Sequence, residues 1–204
     1  MTDGLNISVR GCEGQLVGRV VVPEGVTSID ARAFAQQKQI TAVELPSTVR
    51  SIGEEAFMGC MALESIELPD GLVELGSRAF RNCTALTSVH IPDGIDAIAE
   101  GAFSNCAQLA RVTGGAGLYG IAAQGFARCQ SLVRCEPLAY AIDIGDEAFN
   151  WCNALEFDAL PEEMVYIGEY AFRHCIALRS VKMPARIEYL ADTAFAGCTD
   201  LARA

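Results

Sequence analysis

The chain has 204 residues, of which 51% are hydrophobic, and its 26 acidic and 15 basic residues give a formal net charge of −11. This apolar content is enough for a packed core and excludes a disordered chain. The acidic balance argues against nucleic acid or an anionic membrane surface as a partner, because both select for clustered Lys and Arg. No stretch has the length that a bilayer span requires, so membrane insertion is not expected.

Residues 1–22 do not match the pattern that fills the rest of the chain. We expect them to form an N-terminal cap that contains a first strand near Val20–Val22. The N-terminus has no basic region followed by an apolar run, so no secretory signal peptide is visible. Two locations therefore stay open: the cytoplasm, or the outside of the cell for a chain cut from a longer secreted parent.

Residues 23–204 contain eight copies of one 23-residue repeat, of which the last is truncated. Eight of the nine Phe recur at this interval, and in seven copies a Cys follows three residues later, with a Leu three residues after that. The Phe column consists of Phe34, Phe57, Phe80, Phe103, Phe126, Phe149, Phe172 and Phe195. A single 23-residue unit cannot bury its own apolar side, so these columns must point inward and successive copies must stack.

Each copy has the pattern of a strand followed by a compact turn. In the copy that begins at Pro69, residues 88–91 alternate polar and apolar, as a half-buried strand does. Apolar residues at every third position in 77–86 favour a short helical or 3₁₀ turn. We therefore predict an α/β solenoid, a right-handed superhelix with a parallel β-sheet on its concave face and short helical or 3₁₀ turns on the other.

The fifth and sixth copies, at about residues 111–160, depart most from the repeat. Copy five begins with the sequence Gly-Gly-Ala-Gly at 114–117 and lacks its proline, and copy six has Pro137 one place early. The inward strand column carries Asp158, and a buried carboxylate is costly unless it is paired. Either the strand shifts locally or a backbone donor satisfies Asp158.

The two ends of the array also differ from its middle. Gln37 stands where later copies have Cys, as we expect of a terminal repeat that faces solvent. The chain stops at Ala204, before another strand or a polar capping helix. This indicates either a chain cut from a longer array or a C-terminal end that needs a partner, which makes a homo-oligomer formed through that end one expectation.

The cysteines are expected to be small buried core residues. An in-register stack brings neighbouring Cα atoms to about 5 Å, but parallel side chains fit the disulfide torsion poorly. Cys12 and Cys135 lie off the column and are either paired or free. No C-x-x-C pair supports zinc, and His174 should point away from its neighbour Cys175, so a cysteine hydrolase is a remote alternative. The sequence predicts no enzyme activity, no metal and no cofactor.

Strand residues that point outward should line the concave face and contact a ligand. Arg111 and Arg134, which are adjacent, and Phe157, which should be exposed, are residue types that dominate interface energies. Trp151 should also lie near the surface. The candidate binding residues are Glu67, His90, Arg111, Arg134, Glu136, Phe157 and Lys182. The alternative is a solvated strand surface with one aromatic side chain tucked over an irregular repeat.

The segment Leu63-Glu-Ser-Ile-Glu-Leu68 fits the leucine-rich consensus L-x-x-L-x-L. Together with the columns Pro69, Leu72, Leu75-Gly76, Ala79-Phe80, Cys83 and Leu86, it closely resembles the BspA-type leucine-rich repeat family of bacteria and protists. The resemblance covers about residues 20–204. It implies a cell-surface or secreted protein, and for some members adhesion to host matrix or to other cells.

We therefore expect a non-enzymatic protein-binding or adhesion module that uses the concave face, with a host or cell-surface protein or a glycan as ligand. The alternative is a structural or intracellular assembly scaffold that self-associates through uncapped solenoid ends.

Overall fold

The computed structural model describes residues 7–9 and 14–202 and is a parallel β-solenoid of about eight turns. The strands in chain order are β1 (Ile7–Val9), β2 (Val17–Val21), β3 (Val26–Ile29), β4 (Gln39–Glu44), β5 (Ser51–Ile52), β6 (Ser65–Ile66), β7 (Glu74–Leu75), β8 (Ser88–Ile91), β9 (Ala97–Ile98), β10 (Arg111–Gly114), β11 (Gly120–Ile121), β12 (Arg134–Cys135), β13 (Asp143–Ile144), β14 (Tyr166–Ile167) and β15 (Tyr189–Leu190).

The strands form two parallel ladders that run along the molecule. The first ladder consists of β2-β4-β6 and β8-β10-β12 and is extended by a bridge between Ala159 and Lys182. The second ladder consists of β1-β3-β5-β7 and β9-β11-β13-β14-β15. Paired residues in the repeats are 23 positions apart, as Val89 and Val112 are. The sequence period is therefore the length of one complete turn.

The N-terminal segment adds to both ladders instead of only covering an end. Strand β2, which pairs with β4, is found where the sequence predicted a first strand. Strand β1 pairs with β3 in the second ladder and was not predicted. Residues 7–21 thus supply both strands of a turn that precedes the first recognisable repeat.

The predicted helical turns are absent from the described residues, which contain one helix, a four-residue 3₁₀ helix at Glu136–Ala139. The α/β description is corrected accordingly. A helical turn needs consecutive residues with right-handed backbone. In the six-residue turn segment 54–59, by contrast, successive N–H groups donate alternately to the next turn and within their own turn. The N–H groups of Glu55 and Phe57 donate to carbonyls of the next turn at 2.9 and 2.8 Å, while those of Ala56 and Met58 donate within the turn.

This alternation depends on left-handed backbone at the second and sixth positions of the turn segments, which is present at both positions in every turn but the last, where Thr193 lacks it. Twelve residues other than Gly have φ between 54° and 63°. They are Arg32, Gln36, Glu55, Arg78, Asn82, Asn105, Gln124, Arg128, Glu147, Trp151, Tyr170 and His174. Left-handed backbone costs roughly 1–2 kcal/mol for a residue with a Cβ. Here it is tolerated because every second N–H reaches the neighbouring turn.

The predicted apolar columns lie in a continuous core between the ladders and the turn segments. Seven of the eight column Phe residues are at most 2% exposed. Their rings stack from Phe34 to Phe195 with centroids 5.1–5.4 Å apart and interplanar angles of at most 16°. The Ala or Gly before each Phe leaves room for this approach. Each turn therefore buries its apolar side on the turns before and after it.

The first ladder is interrupted between Cys135 and Asp158, within the stretch that the sequence predicted to be irregular. There the inward and outward positions exchange. Phe157 is half-buried against the ring of Phe172, at a centroid distance of 5.3 Å, and Asp158 is exposed. The expectation of an exposed Phe157 is therefore wrong, and the local strand shift proposed for Asp158 is confirmed. Burying a phenyl ring and releasing a carboxylate to water outweighs the regular register.

Gln37 is buried, contrary to the expectation that it faces solvent. Its amide Nε2 donates to the carbonyl of Gly14 at 2.8 Å, and its Oε1 accepts from the N–H of Leu16 at 2.7 Å. The longer side chain reaches the irregular N-terminal segment, which a thiol could not do. Gln37 therefore attaches the start of the chain to the first regular turn.

Replacing a central ring of the Phe stack should destabilise the protein more than replacing a terminal one. Phe103→Ala removes a fully buried ring that has neighbours on both sides and should lower the free energy of unfolding by about 3–5 kcal/mol. Phe195→Ala, at a half-buried position with one stacking neighbour, should cost clearly less. Urea denaturation of both variants measures the difference, and equal losses would contradict stacking between turns.

Candidate functional site

The outward side of the first ladder carries most of the predicted binding residues. Glu67, His90, Arg111, Arg134 and Glu136 lie on or directly beside strands β6, β8, β10 and β12, and all are exposed. In-register pairing places Arg111 beside Arg134. The structure therefore places these five predicted residues on one side of the first ladder.

Two hydrogen bonds fix side chains on this face. Nδ1 of His90 lies 3.0 Å from Oγ1 of Thr113, its partner in the next strand. The N–H of Gly114 donates to Oε2 of Glu136 at 3.0 Å. Gly114 has φ 76°, and a Cβ there would lie 2.3 Å from the carbonyl oxygen of Ile91. A glycine is therefore required at the strand end that holds Glu136.

A shallow depression of about 490 Å³ lies at the centre of this face. Glu67, His90 and Arg111 line it, so three of the predicted residues meet there. The other lining residues are Ser65, Ile66, Leu68, Ser88, Val89 and Thr113. The depression thus has an apolar floor and a polar rim of mixed charge, the usual composition of a small contact site.

Lys182 and Phe157 lie apart from this group. Lys182 follows the interrupted repeat and pairs with Glu162 at 2.8 Å. This hydrogen bond lowers the pKa of Glu162 and raises that of Lys182. Phe157 is directed into the core, as described above. The structure therefore groups five of the seven predicted residues and places two outside the group.

The column thiols are buried hydrogen-bond donors. Each Sγ lies 3.1–3.3 Å from the carbonyl oxygen of the Phe in the preceding turn. Burial raises the pKa of Cys60 to about 12 and that of Cys106 well above its ordinary value. The prediction of small buried thiols is confirmed for the six column cysteines from Cys60 to Cys175, whereas Cys198 is half-buried. A buried, protonated thiol is a poor nucleophile.

The off-column thiols and the Cys–His pair have simple outcomes. Cys135 is free and half-buried, whereas Cys12 lies outside the described residues, so their pairing stays untested. Cys175 donates to the carbonyl of Phe149 in the core, while the His174 ring lies against Trp151, with centroids 4.0 Å apart and the planes tilted by 32°. His174 and Cys175 point in different directions, as predicted, and the geometry offers no nucleophile–base contact. In the described residues, no three His, Cys, Asp or Glu side chains cluster for a metal.

The sequence prediction missed a second group of polar and aromatic residues, at the left-handed positions of the turn segments. Arg128, Trp151 and His174 share one column with Gly59 and Gly197. The recurrence of glycine at 23-residue intervals was a signal that this column has positive φ. The prediction took Trp151 only as a surface residue, and at 38% exposure it is one.

Comparison with known proteins identifies the repeat. A family model described as BspA type leucine rich repeat region matches residues 8–133 and 138–204 in six copies. The chain is 30% identical to a leucine rich repeat protein of T. pallidum, with a TM-score of 0.52 over 68% of this chain and 78% of that one.

Two further solved structures are more distant. A leucine rich cell surface protein from Faecalibacterium prausnitzii is 22% identical, with a TM-score of 0.48 over 96% of this chain and 77% of that one. A leucine-rich repeat protein from Bacteroides ovatus is 19% identical, with a TM-score of 0.47 over 99% of this chain and 81% of that one. No curated protein sequence matches the chain.

The buried thiols should make the protein lose stability at alkaline pH. Burial raises their pKa in the folded state, so on raising the pH the unfolded chain loses its thiol protons first. The contribution of the thiols to stability should be constant below about pH 8.5 and should fall between pH 9 and 12, by about 2 kcal/mol for each fully buried thiol at pH 10.5. Urea denaturation of the wild type and Cys60→Ala at pH 8 and 10.5 measures this. The variant should lose less stability on raising the pH, and identical losses would rule the mechanism out.

Proposed function

Since the chain belongs to the BspA-type leucine-rich repeat family, we propose that it is a non-enzymatic module that binds a protein ligand on the outward side of its first ladder. The solenoid holds a row of parallel strands at fixed spacing, so the outward side chains form a preorganised surface. Preorganisation favours binding because little side-chain entropy remains to be lost. The centre of the proposed site is the group Glu67, His90, Arg111, Arg134 and Glu136.

The observation that carries this proposal is the pair Arg111 and Arg134. The two cations are exposed on neighbouring strands, and neither forms an ion pair with a described residue. Like charges directly opposite each other destabilise a sheet, so the pair has a cost in the free protein. A ligand that supplies a carboxylate would remove this repulsion and would gain forked, charge-assisted hydrogen bonds. The pair therefore suits an acidic group on the partner.

The neighbouring side chains support the same assignment. His90 is held by Thr113, and Glu136 is held by the N–H of Gly114. Both residues therefore meet a ligand in fixed positions beside the depression of about 490 Å³. Lys182 and Phe157 lie outside this centre. Lys182 provides a second, more distant contact, and Phe157 acts by supporting the core against Phe172.

We place this function at the cell surface or outside the cell, in line with the family. The ligand is accordingly a host or cell-surface protein. The one helix in residues 7–9 and 14–202 has four residues, and no helix there is long and apolar enough to cross a membrane.

The double variant Arg111→Ala/Arg134→Ala tests the binding face. It should retain the wild-type melting temperature, because both side chains are exposed, and should lose at least about tenfold in affinity. The immobilised wild type and variant are incubated with soluble extracellular-matrix proteins, and the species retained are compared. Lys38→Ala/Arg179→Ala, which removes the same charge from other exposed positions, should retain what the wild type retains. Equal capture by both double variants would refute the site.

The last described turn favours self-association as a second candidate function. Leu190 is 42% exposed, whereas its counterparts in the seven preceding repeats are buried. Within the described residues, β15 pairs only with β14. A second copy could continue the ladder and cover Leu190 and the Phe195 ring.

Self-association should appear as a rise in sedimentation coefficient with protein concentration. Leu190→Glu should abolish the rise, because it puts a charge into the proposed contact. Val73→Glu changes a residue that is 58% exposed in the middle of the second ladder and should leave the rise unchanged. A wild type that stays monomeric at every concentration would remove this candidate.

A further inference from the structure

A polar depression of about 420 Å³ lies on the side of the solenoid formed by the turn segments, away from the first ladder. Its lining residues come from four successive turns. They are Arg81, Asn82, Ser104, Asn105, Gln124, Ala127, Arg128 and Glu147. Seven of these eight residues are polar or charged, so the site offers many hydrogen bonds and little apolar area.

The residue choice in this depression runs against the backbone. Asn82, Asn105, Gln124, Arg128 and Glu147 all have positive φ, where glycine costs least. Asn tolerates this conformation, but Arg, Gln and Glu do not favour it. The fold explains the left-handed backbone, because every turn has it. It does not explain why long polar side chains occupy these positions, and strained positions of this kind cluster at ligand-binding sites.

Side-chain amides in and beside the depression form two hydrogen-bonded groups. Nδ2 of Asn105 donates to Oδ1 of Asn82 at 3.0 Å. Nδ2 of Asn150 donates to Oε2 of Glu147 at 2.9 Å, and Gln124 lies 3.5 Å from the other oxygen of Glu147. The amides of successive turns recur at the turn spacing of about 4.8 Å. Groups at this interval can offer one set of hydrogen-bond donors and acceptors to each successive unit of an extended sugar chain.

Two cations in the depression have no partner. Arg81 and Arg128 form no ion pair with any described residue. Arginines at the other left-handed column do pair: Arg32 with Glu55, and Arg78 with Glu100. The lining thus holds two unpaired arginines and one carboxylate, that of Glu147. They provide charge for an anionic group on the ligand.

An aromatic platform adjoins the cations. Trp151 occupies the position of Arg128 in the next turn, and its ring lies against that of His174 with the two planes tilted by 32°. His174 in turn lies over Gly197, where a Cβ would be 2.5 Å from Nδ1. These contacts hold Trp151 in place with part of its ring in solvent. An exposed indole that is held rigidly can cover an apolar face of a sugar ring.

From these contacts we propose that the depression binds an acidic oligosaccharide, one whose sugar units carry carboxylates. Arg81 and Arg128 bind the carboxylates, and the amides of Asn82, Asn105 and Gln124 bind ring hydroxyls. Trp151 stacks on the following sugar unit. The turn spacing is close to the length of one pyranose unit in an extended chain, so successive units meet successive turns. This site is separate from the protein-binding face and does not depend on it.

The single tryptophan of the chain reports directly on this site. Titration of the protein with tetragalacturonate should give a saturable change in Trp151 fluorescence. Cellotetraose, a neutral chain of equal length, should bind at least about tenfold more weakly, because it lacks the charge-assisted contacts. A hexaglutamate peptide should also bind more weakly, since it offers charge without ring hydroxyls or a stacking face.

Arg128→Gly separates binding from stability. Glycine suits the positive φ, so the free energy of unfolding should not fall, while the dissociation constant for tetragalacturonate should rise at least about tenfold. Gln36→Gly makes the matched change in the first copy of the same column and should leave affinity unchanged. The absence of saturable binding in the millimolar range, or equal affinity in Arg128→Gly, would overturn the proposal. Equal affinity for cellotetraose would overturn the claim that the ligand must carry carboxylates. Equal affinity for hexaglutamate would overturn the claim that the ligand is a glycan.

Discussion

The attachment of each turn to the next at the Phe position is the interaction on which the whole structure depends. The N–H of each of the seven column Phe residues from Phe34 to Phe172 donates to a carbonyl of the following turn, as Phe57 does to Ala79 at 2.8 Å. The Phe carbonyl accepts a thiol from that same following turn, as Phe57 does from Cys83 at 3.2 Å. The ring stacks on the rings before and after it. One residue thus joins neighbouring turns through its N–H, its carbonyl and its ring. An insertion at this position would break all three contacts, which explains why the period stays at 23 residues.

The same constraint explains why the molecule is most variable where it meets solvent. Core positions repeat in every turn because each must contact its own copy in the next. Outward positions of the first ladder, such as Glu67, His90 and Arg111, meet no such demand and differ from turn to turn. A regular scaffold can therefore carry an irregular surface, which is what a binding protein of repeating architecture requires.

The sequence predicted those features that depend on the period and missed those that depend on local backbone. The Phe, Cys and Leu columns, the parallel strands and the shared face of Arg111 and Arg134 follow from counting in steps of 23. The helical turns were wrong because apolar residues at every third position fit both a 3₁₀ helix and a turn broken by left-handed residues. Distinguishing them required φ, for which Gly59 and Gly197 were the available signal.

The predicted exposure of single residues was wrong where a contact that the repeat pattern does not describe determined their burial. Phe157 was placed outward by register, but the core at Phe172 accepts it, and Asp158 leaves for water. Gln37 was judged to be exposed at a terminal repeat, but the N-terminal segment covers it. The depression at Arg128 was missed because its lining comes from turn segments, whose side-chain directions are not set by strand alternation.

The direction of the ladder hydrogen bonds determines how the molecule responds to mechanical load. These bonds run from turn to turn, parallel to the axis of stacking, so tension applied along that axis acts on the bonds of one terminal turn at a time. A turn that detaches releases 23 residues, which lengthens the tether by about 80 Å when fully extended. A protein built in this way lengthens in steps under tension while its remaining turns stay folded.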